Sequence, residues 1–398
     1  MEMYLQFGHG MMAHTRELLS DWAGGGVILS PRDLTEPQLQ RVAQDINDRG
    51  GEPFLDPQCF ARTADHPRLT NHTYWEVYRK YSTSAFRGGV GTAALLSELA
   101  RLSRALGIKR HILPGLLAPV VNDDWFSFHD AIVEEAPRHF GQDPLIATIA
   151  LSSEALRDEA QVESIVDHVE KWGVAGLYVV PETPSAYLVD DPVWMANLLI
   201  LASGLKLAGK SVIVGYCSHQ MLCLACANVD AIASGTWLNV RAFAPDKFFT
   251  PEEDDVSRRA TWYYCPHALS EYKIPFLDIA RRVGILDELR PDAALGSSYA
   301  DPLFGGAAPT TVDWGEQAAF RHYLTCLHSQ AATSRRATFD ETVNEYLRTL
   351  ARARASVGRF RSNGVLGGDR DFSDRVDVNQ SALTVLARAR GPRLRRGW

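Results

Sequence analysis

Several things are scarce in this chain, and each scarcity removes a class of protein. Only six of the 398 residues are cysteine, and no basic leader is followed by an apolar run and a small-residue cleavage site. A disulfide-built secreted protein is therefore not indicated, and a reduced, cytoplasmic setting is expected. No apolar stretch reaches about 18 residues without a polar break, so no membrane-spanning helix is expected. Positive charge is not in excess either: the formal net charge is -7, which argues against a protein that binds nucleic acid over its whole surface. Internal repeats and low-complexity tracts are missing, which leaves a chain whose 46% hydrophobic and 22% charged residues suffice for a substantial core.

What is present is an alternation. Eight short apolar runs, YLQFGHG, GGVILSPRD, EPFLDPQ, RHILPGLLAPVVNDD, PLIATIALSS, AGLYVVPET, KSVIVGYCSH and VDAIASGTW, each end in a polar or Gly/Pro corner. Between them lie helical periods such as TEPQLQRVAQDINDRGG, GTAALLSELARLSRALG and DPVWMANLLILASGLKLAG. The alternation predicts a (β/α)8 barrel, the TIM-barrel form of α/β fold, over residues 1–245. Thr35 before EPQLQ is a helix N-cap, and Gly107, Gly173 and Gly209 mark helix ends. After the barrel, RRATWYYCPHALSEYKIPFLDIARRVGIL and GEQAAFRHYLTCLHSQ read as helical, giving an appendage over 246–337. A closing pair of amphipathic helices is expected over 338–398, ending in ARARGPRLRRGW with five arginines and a final tryptophan.

Barrel chemistry belongs to the corners after the strands. Those corners hold His9, Ser30, Arg32, Asp33, Asp56, Gln58, Asn122, Asp123, Asp124, Glu182, Cys217, His219 and Ser234, an acidic mouth. Such carboxylates can move protons, bind a metal or hydrogen-bond the edge of a heterocycle; each can also simply cap the next helix. Cys217, His219, Cys223 and Cys226 have a metal-like C-x-H-x3-C-x2-C spacing, but the first pair ends a strand and the second sits in a helix. Buried structural thiols are the expectation there, with no metal.

These corners resemble the tRNA-guanine transglycosylase superfamily, whose members exchange a nucleobase at an N-glycosidic bond. EPFLDPQCF resembles the segment that delivers a catalytic aspartate, PVVNDDWF the loop whose aspartate recognises guanine, and GVAGLYVVPE the strand leading to a base-pocket glutamate. VGYCSHQMLCLACANVDAIASG resembles the stretch ending in the family's nucleophilic aspartate, and WYYCPHALSEY through EQAAFRHYL its zinc-binding appendage. The likeness covers roughly residues 4–330 and departs at two places. Ala233 stands where the nucleophile would be, with Ser234 beside it, and only Cys265 remains of the zinc cysteines, with Gln317 near the position of the family's histidine. Trp262, Tyr263 and Tyr264 are expected to fill that space.

The resemblance implies a purine or 7-deazapurine base as substrate group, in DNA, tRNA or a free nucleoside. Asp56, Asp123 and Asp124 are the implied catalytic residues. Ser30, Arg32, Asp33, Gln58, Asn122, Glu182, His219 and Ser234 are the implied substrate contacts, and no cofactor is expected. The arginine-rich tail could hold phosphate while Trp398 stacks a base. Two other readings stay open: a non-catalytic base-binding partner of an active subunit, in a homo- or hetero-oligomer, and a metal-assisted hydrolase using His9, Asp56, His219 and the Asp123–Asp124 pair.

Overall fold

The computed structural model describes residues 1–80, 86, 89–185, 187–250, 260–295 and 297–398. Nine parallel strands make the principal sheet: β1 (Glu2–Gln6), β2 (Gly25–Leu29), β3 (Gly51–Leu55), β4 (His111–Ile112), β5 (Leu117–Ala118), β6 (Leu145–Leu151), β7 (Gly176–Pro181), β8 (Ser211–Val214) and β9 (Ala231–Ser234). They run in the order β3-β2-β1-β9-β8-β7-β6-β4, with β5 paired to the far end of β6. Because β4 and β5 share one position, the sheet has eight staves, nearly closed into a barrel. All eight apolar runs of the sequence form these staves, since runs of mostly Val, Ile, Leu and Ala bounded by Gly, Pro and polar corners suit strands buried on both faces.

The fourth stave is split for a steric reason. At Gly115, between β4 and β5, a side chain would sit 2.7 Å from Thr148 Cβ, so the chain bulges past β6 and then rejoins it. On the open side, Leu117 N donates to Phe60 O at 3.0 Å. Below, Arg110 pairs with Glu52 and lies 4.7 Å over the Phe54 ring, closing the seam.

The helix over Pro192–Leu207 is buried along nearly its whole length. A surface helix of a barrel would keep a polar stripe, but this one is covered on its outer side by the helix Ser373–Ala389. The closing pair, Phe339–Ser362 and Ser373–Ala389, is thus part of the barrel's own core. Tyr346 ties it down, its hydroxyl donating to Asn379 Oδ1 at 3.1 Å and to Gln220 O at 3.4 Å. The tail folds onto the first helix of this pair, where Arg395 binds Asp340 and Trp398 packs edge-on against Phe339, while Arg390 binds Glu163 of the barrel helix Glu159–Val169.

One expectation over 246–337 is corrected. WYYCPHALSEYK is a β-hairpin rather than a helix: β10 (Trp262–Cys265) pairs antiparallel with β11 (Ser270–Lys273), and only Ile274–Arg282 is helical. Consecutive aromatics favour extended backbone, and Leu269 at φ 48° completes the turn. The preceding Arg258 and Arg259 lie outside the described residues. The hairpin packs on a second, smaller core that includes Tyr263, Tyr272, Leu277, Trp314 and Phe360.

Candidate functional site

Two buried polar centres sit at the carboxyl ends of the strands. The first surrounds Asp56, just past β3 and 1% exposed. Its Oδ1 accepts from Gln58 N at 2.9 Å, while its Oδ2 accepts from Tyr216 Oη at 3.0 Å and Tyr178 Oη at 3.3 Å. Gln58 extends the network: Nε2 donates to Ser30 Oγ at 2.9 Å, and Oε1 accepts from Arg32 N. Ser30 in turn donates to Asp33 Oδ2 at 2.7 Å. Ser30, Arg32, Asp33, Asp56 and Gln58 therefore form one assembly, built from the corners after β2 and β3.

Burial drives the Asp56 carboxyl up to about 6, against a partial offset from the Gln58 amide and the Tyr216 hydroxyl. The carboxyl is thus poised to hold or release a proton near neutrality. The backbone around it is held in an unusual way. Among the described residues only five non-glycines have positive φ, and two of them, Gln58 at 57° and Tyr216 at 56°, are the residues that grip Asp56. Left-handed backbone at bulky residues costs of order 1–3 kcal/mol each and concentrates at functional sites. Tyr178 reaches the centre only because β8 is followed by Gly215, where a side chain would sit 2.4 Å from the Tyr178 hydroxyl. That hydroxyl also donates to Gln6 Oε1 at 3.2 Å, and among the described residues the buried Gln6 Nε2 has no hydrogen-bond partner.

A segment after β9 roofs this centre. Phe243 packs against Tyr216, Phe60 and Phe248, and Lys247 places its Nζ 3.5 Å from the Tyr216 ring centre. Burial and the nearby Arg32 push the Lys247 ammonium well below its ordinary value. The segment is pinned at its edges, where Arg32 Nε donates to Lys247 O, Thr183 N to Phe243 O and His66 N to Phe248 O.

The second centre lies after β9, against the hairpin. Glu271, 2% exposed, accepts from Tyr187 Oη at 2.5 Å and from Arg370 at 2.8 Å, with Arg241 at 3.6 Å. Burial pushes this carboxyl up, but Arg241 and Arg370 outweigh it and hold it below the ordinary range. His219 sits alongside, fully buried among Tyr187, Tyr264, Tyr323 and Phe372, and burial lowers it to about 4. Ser234 is buried beside Tyr323.

The remaining sequence candidates fall elsewhere. Asn122, Asp123 and Asp124 are exposed in the first turn of the helix Asp123–Glu135, where Asn122 Oδ1 caps Trp125 N at 3.0 Å. Asp123 lines an outer groove with Asp130 and His168 and shares no contact with Asp56. Glu182 caps Ser153 N at 2.9 Å. His9 is exposed in the turn before the first helix. Among the described residues no group of three or more His, Cys, Asp or Glu side chains is arranged to hold a metal. Cys217, Cys223 and Cys226 are buried, Cys223 Sγ lying 3.7 Å from Met195 Sδ.

Sequence reasoning missed Gln6, Tyr178 and Tyr216 at the first centre, and Tyr187, Arg241, Glu271 and Arg370 at the second. Tyr178 and Gln6 lie inside strands that read as plain core. One signal was available: Arg241 is an ionisable residue inside an otherwise apolar run, VRAF, where a charge must find a partner.

No family model matches the chain, and no curated protein matches it. Solved structures similar to it include the carboxyl transferase domain of Rhizobium etli pyruvate carboxylase. With 3-bromopyruvate, that domain is 13% identical at a TM-score of 0.33, covering 87% of this chain and 64% of the other. A second structure of the domain is 12% identical at 0.31, covering 96% and 70%. The chain thus spans just under two thirds of the first of these, and its assignment as an α/β barrel rests on its own strand order.

Proposed function

We propose that the Asp56 centre performs proton transfer at the N-glycosidic bond of a purine or 7-deazapurine, in base exchange or hydrolysis. The observation that supports this reading is the Asp56 carboxyl at about 6, gripped by two residues in left-handed backbone. In its acid form Asp56 gives its proton to a nitrogen of the departing base, which leaves with the bonding electron pair; the resulting carboxylate faces the oxocarbenium-like sugar. The carboxylate then takes a proton from the incoming base or water. Gln58 and Ser30 have their donors committed to Ser30 and Asp33, so a heterocycle edge would replace those bonds, whereas Gln6 Nε2 has no partner among the described residues. Since Asp56 is 1% exposed, the roof carrying Phe243 and Lys247 must swing aside to admit a base. In a polymer the base must also leave its stack.

Incubating the protein with labelled guanine or a 7-deazaguanine and, in turn, tRNA, single-stranded DNA and nucleosides tests the reading. Incorporation or base release that disappears in Asp56→Asn and falls in Tyr216→Phe is expected; turnover that survives Asp56→Asn sinks it.

A second reading has its own support. In register with Tyr4, and so on the face that carries Gln6, β9 presents Ala233. A methyl group cannot form a glycosyl ester. A base-binding protein without turnover fits that residue, and saturable binding of free base without exchange or hydrolysis would select it.

A further inference from the structure

Beyond the proton-transfer centre, a cleft opens between the corner after β9, the hairpin and the helix Glu316–Ser334. It holds about 60 Å³ of space, room for a small anion and well below the roughly 300–1,000 Å³ of a site that encloses a whole small molecule. Its inner wall carries Arg241, Arg370, Glu271 and Thr236; its sides are Trp237, Trp262 and Phe320. Two guanidinium groups here share one carboxylate. Glu271 Oε1 accepts from Tyr187 and Oε2 from Arg370, while Arg241 stands 3.6 Å from Oε2, an ion pair beyond hydrogen-bond length. Arg241 is 4% exposed and otherwise donates Nε to Gly235 O at 2.8 Å. The inner wall thus holds two guanidinium groups to one carboxylate, with Arg241 also stacked 3.4 Å over the Tyr323 ring. Glu316, half-buried at the cleft's edge, sits in the first turn of its helix, where the helix's own N-terminal dipole opposes its charge.

A second observation points to an absent ligand. Thr236 is 2% exposed, lines this cleft, and its Oγ1 has no hydrogen-bond partner among the described residues. Buried hydroxyls are almost always paired, so one lining a cleft beside two guanidinium groups marks the place of an acceptor. We infer that this cleft binds a phosphoryl group, held by Arg241, Arg370 and Thr236, with the attached nucleoside outside the cleft, past the Trp237, Trp262 and Phe320 side chains. Guanidinium forks and a hydroxyl supply donors to several oxygens of a tetrahedral anion. Arg241 also begins the stretch that carries Phe243 and Lys247, so the same segment forms the wall of this cleft and the roof over Asp56. The assignment does not depend on what Asp56 does.

Isothermal titration of the full chain at low salt tests it, using inorganic phosphate, a 5′-mononucleotide, the matching nucleoside and a short single-stranded oligonucleotide. The mononucleotide should bind with unit stoichiometry and inorganic phosphate should compete, while the nucleoside binds at least tenfold more weakly, the scale of charge-assisted bonds lost. Arg370→Gln and Thr236→Val should each weaken the mononucleotide about tenfold or more. Thr236→Val is nearly isosteric and removes an unpaired hydroxyl, so its Tm should hold or rise, which keeps the test valid if Arg370→Gln folds poorly. Tighter binding of the oligonucleotide, lost in the same variants, identifies the phosphate source as a polymer. Equal affinity for nucleoside and nucleotide overturns the inference. So does the absence of saturable phosphate binding, or mononucleotide or oligonucleotide binding that both variants leave unchanged.

Discussion

Asp56 and Glu271 are both carboxyls in the same barrel mouth, both at most 2% exposed, and yet they sit on opposite sides of their ordinary titration. Asp56 has hydroxyl and amide partners and is raised to about 6. Glu271 has two arginines and is lowered. Burial is common to both and favours the neutral acid in each; what decides is whether a full positive charge stands within a few ångström. One centre is built to exchange a proton, the other to stay charged.

The largest test of that contrast is Arg241→Met. Glu271 would keep Arg370 and Tyr187 but lose the guanidinium buried with it, and removing one member of a buried ion cluster typically costs about 3–5 kcal/mol. Urea titration at neutral pH measures this; a loss under about 1 kcal/mol would mean that Arg370 alone holds Glu271.

Asp56→Asn should act in the opposite sense. The folded protein holds the Asp56 proton between the ordinary 3.8 and about 6, where the unfolded chain has released it. Wild-type stability from this group therefore falls as pH rises through that window, by about 3 kcal/mol in all. The asparagine variant cannot ionise and escapes the loss, so relative to wild type it should gain about that much between pH 4 and pH 7. Glu271 gives the mirror image: its contribution is present above 4.5 and is lost as pH falls through its lowered folded value. Unfolding midpoints at several pH values read both. If Asp56 acts as the acid, kcat/KM should also fall above about pH 6, by about tenfold per unit.

Smallest is Cys223→Ala. Cys223 is fully buried against Met195, in a 3-10 helix packed behind both centres. Loss of its sulfur should cost about 1 kcal/mol through a small cavity, with turnover unchanged. A larger effect on turnover than on Tm would place the thiol in the chemistry.

How much of this was legible in the sequence follows from distance along the chain. The staves were readable because each is a local run with its own punctuation, as was the Thr35 cap, whose backbone N–H donates to the Gln38 side chain at 2.9 Å. Asp56 was readable because Pro57 follows a buried strand. The hairpin was not, because a run of three aromatic residues has no period long enough to separate strand from helix. Nor was the Glu271 centre, whose partners come from residues 187, 241 and 370 and meet only in the fold. Asn122, Asp123 and Asp124 show the opposite hazard: a cap and a first-turn pair are as acidic as a binding loop until burial distinguishes them.

The cover over Pro192–Leu207 has a consequence for synthesis. All nine barrel strands are complete by residue 234, but the helix that shields this apolar cylinder ends at Ala389. At about 5–20 residues per second, a ribosome leaves that cylinder uncovered for on the order of eight to thirty seconds. Throughout that interval the nascent barrel carries a helix-length greasy stripe, which is a natural target for a holding chaperone and the place where two unfinished chains would stick together.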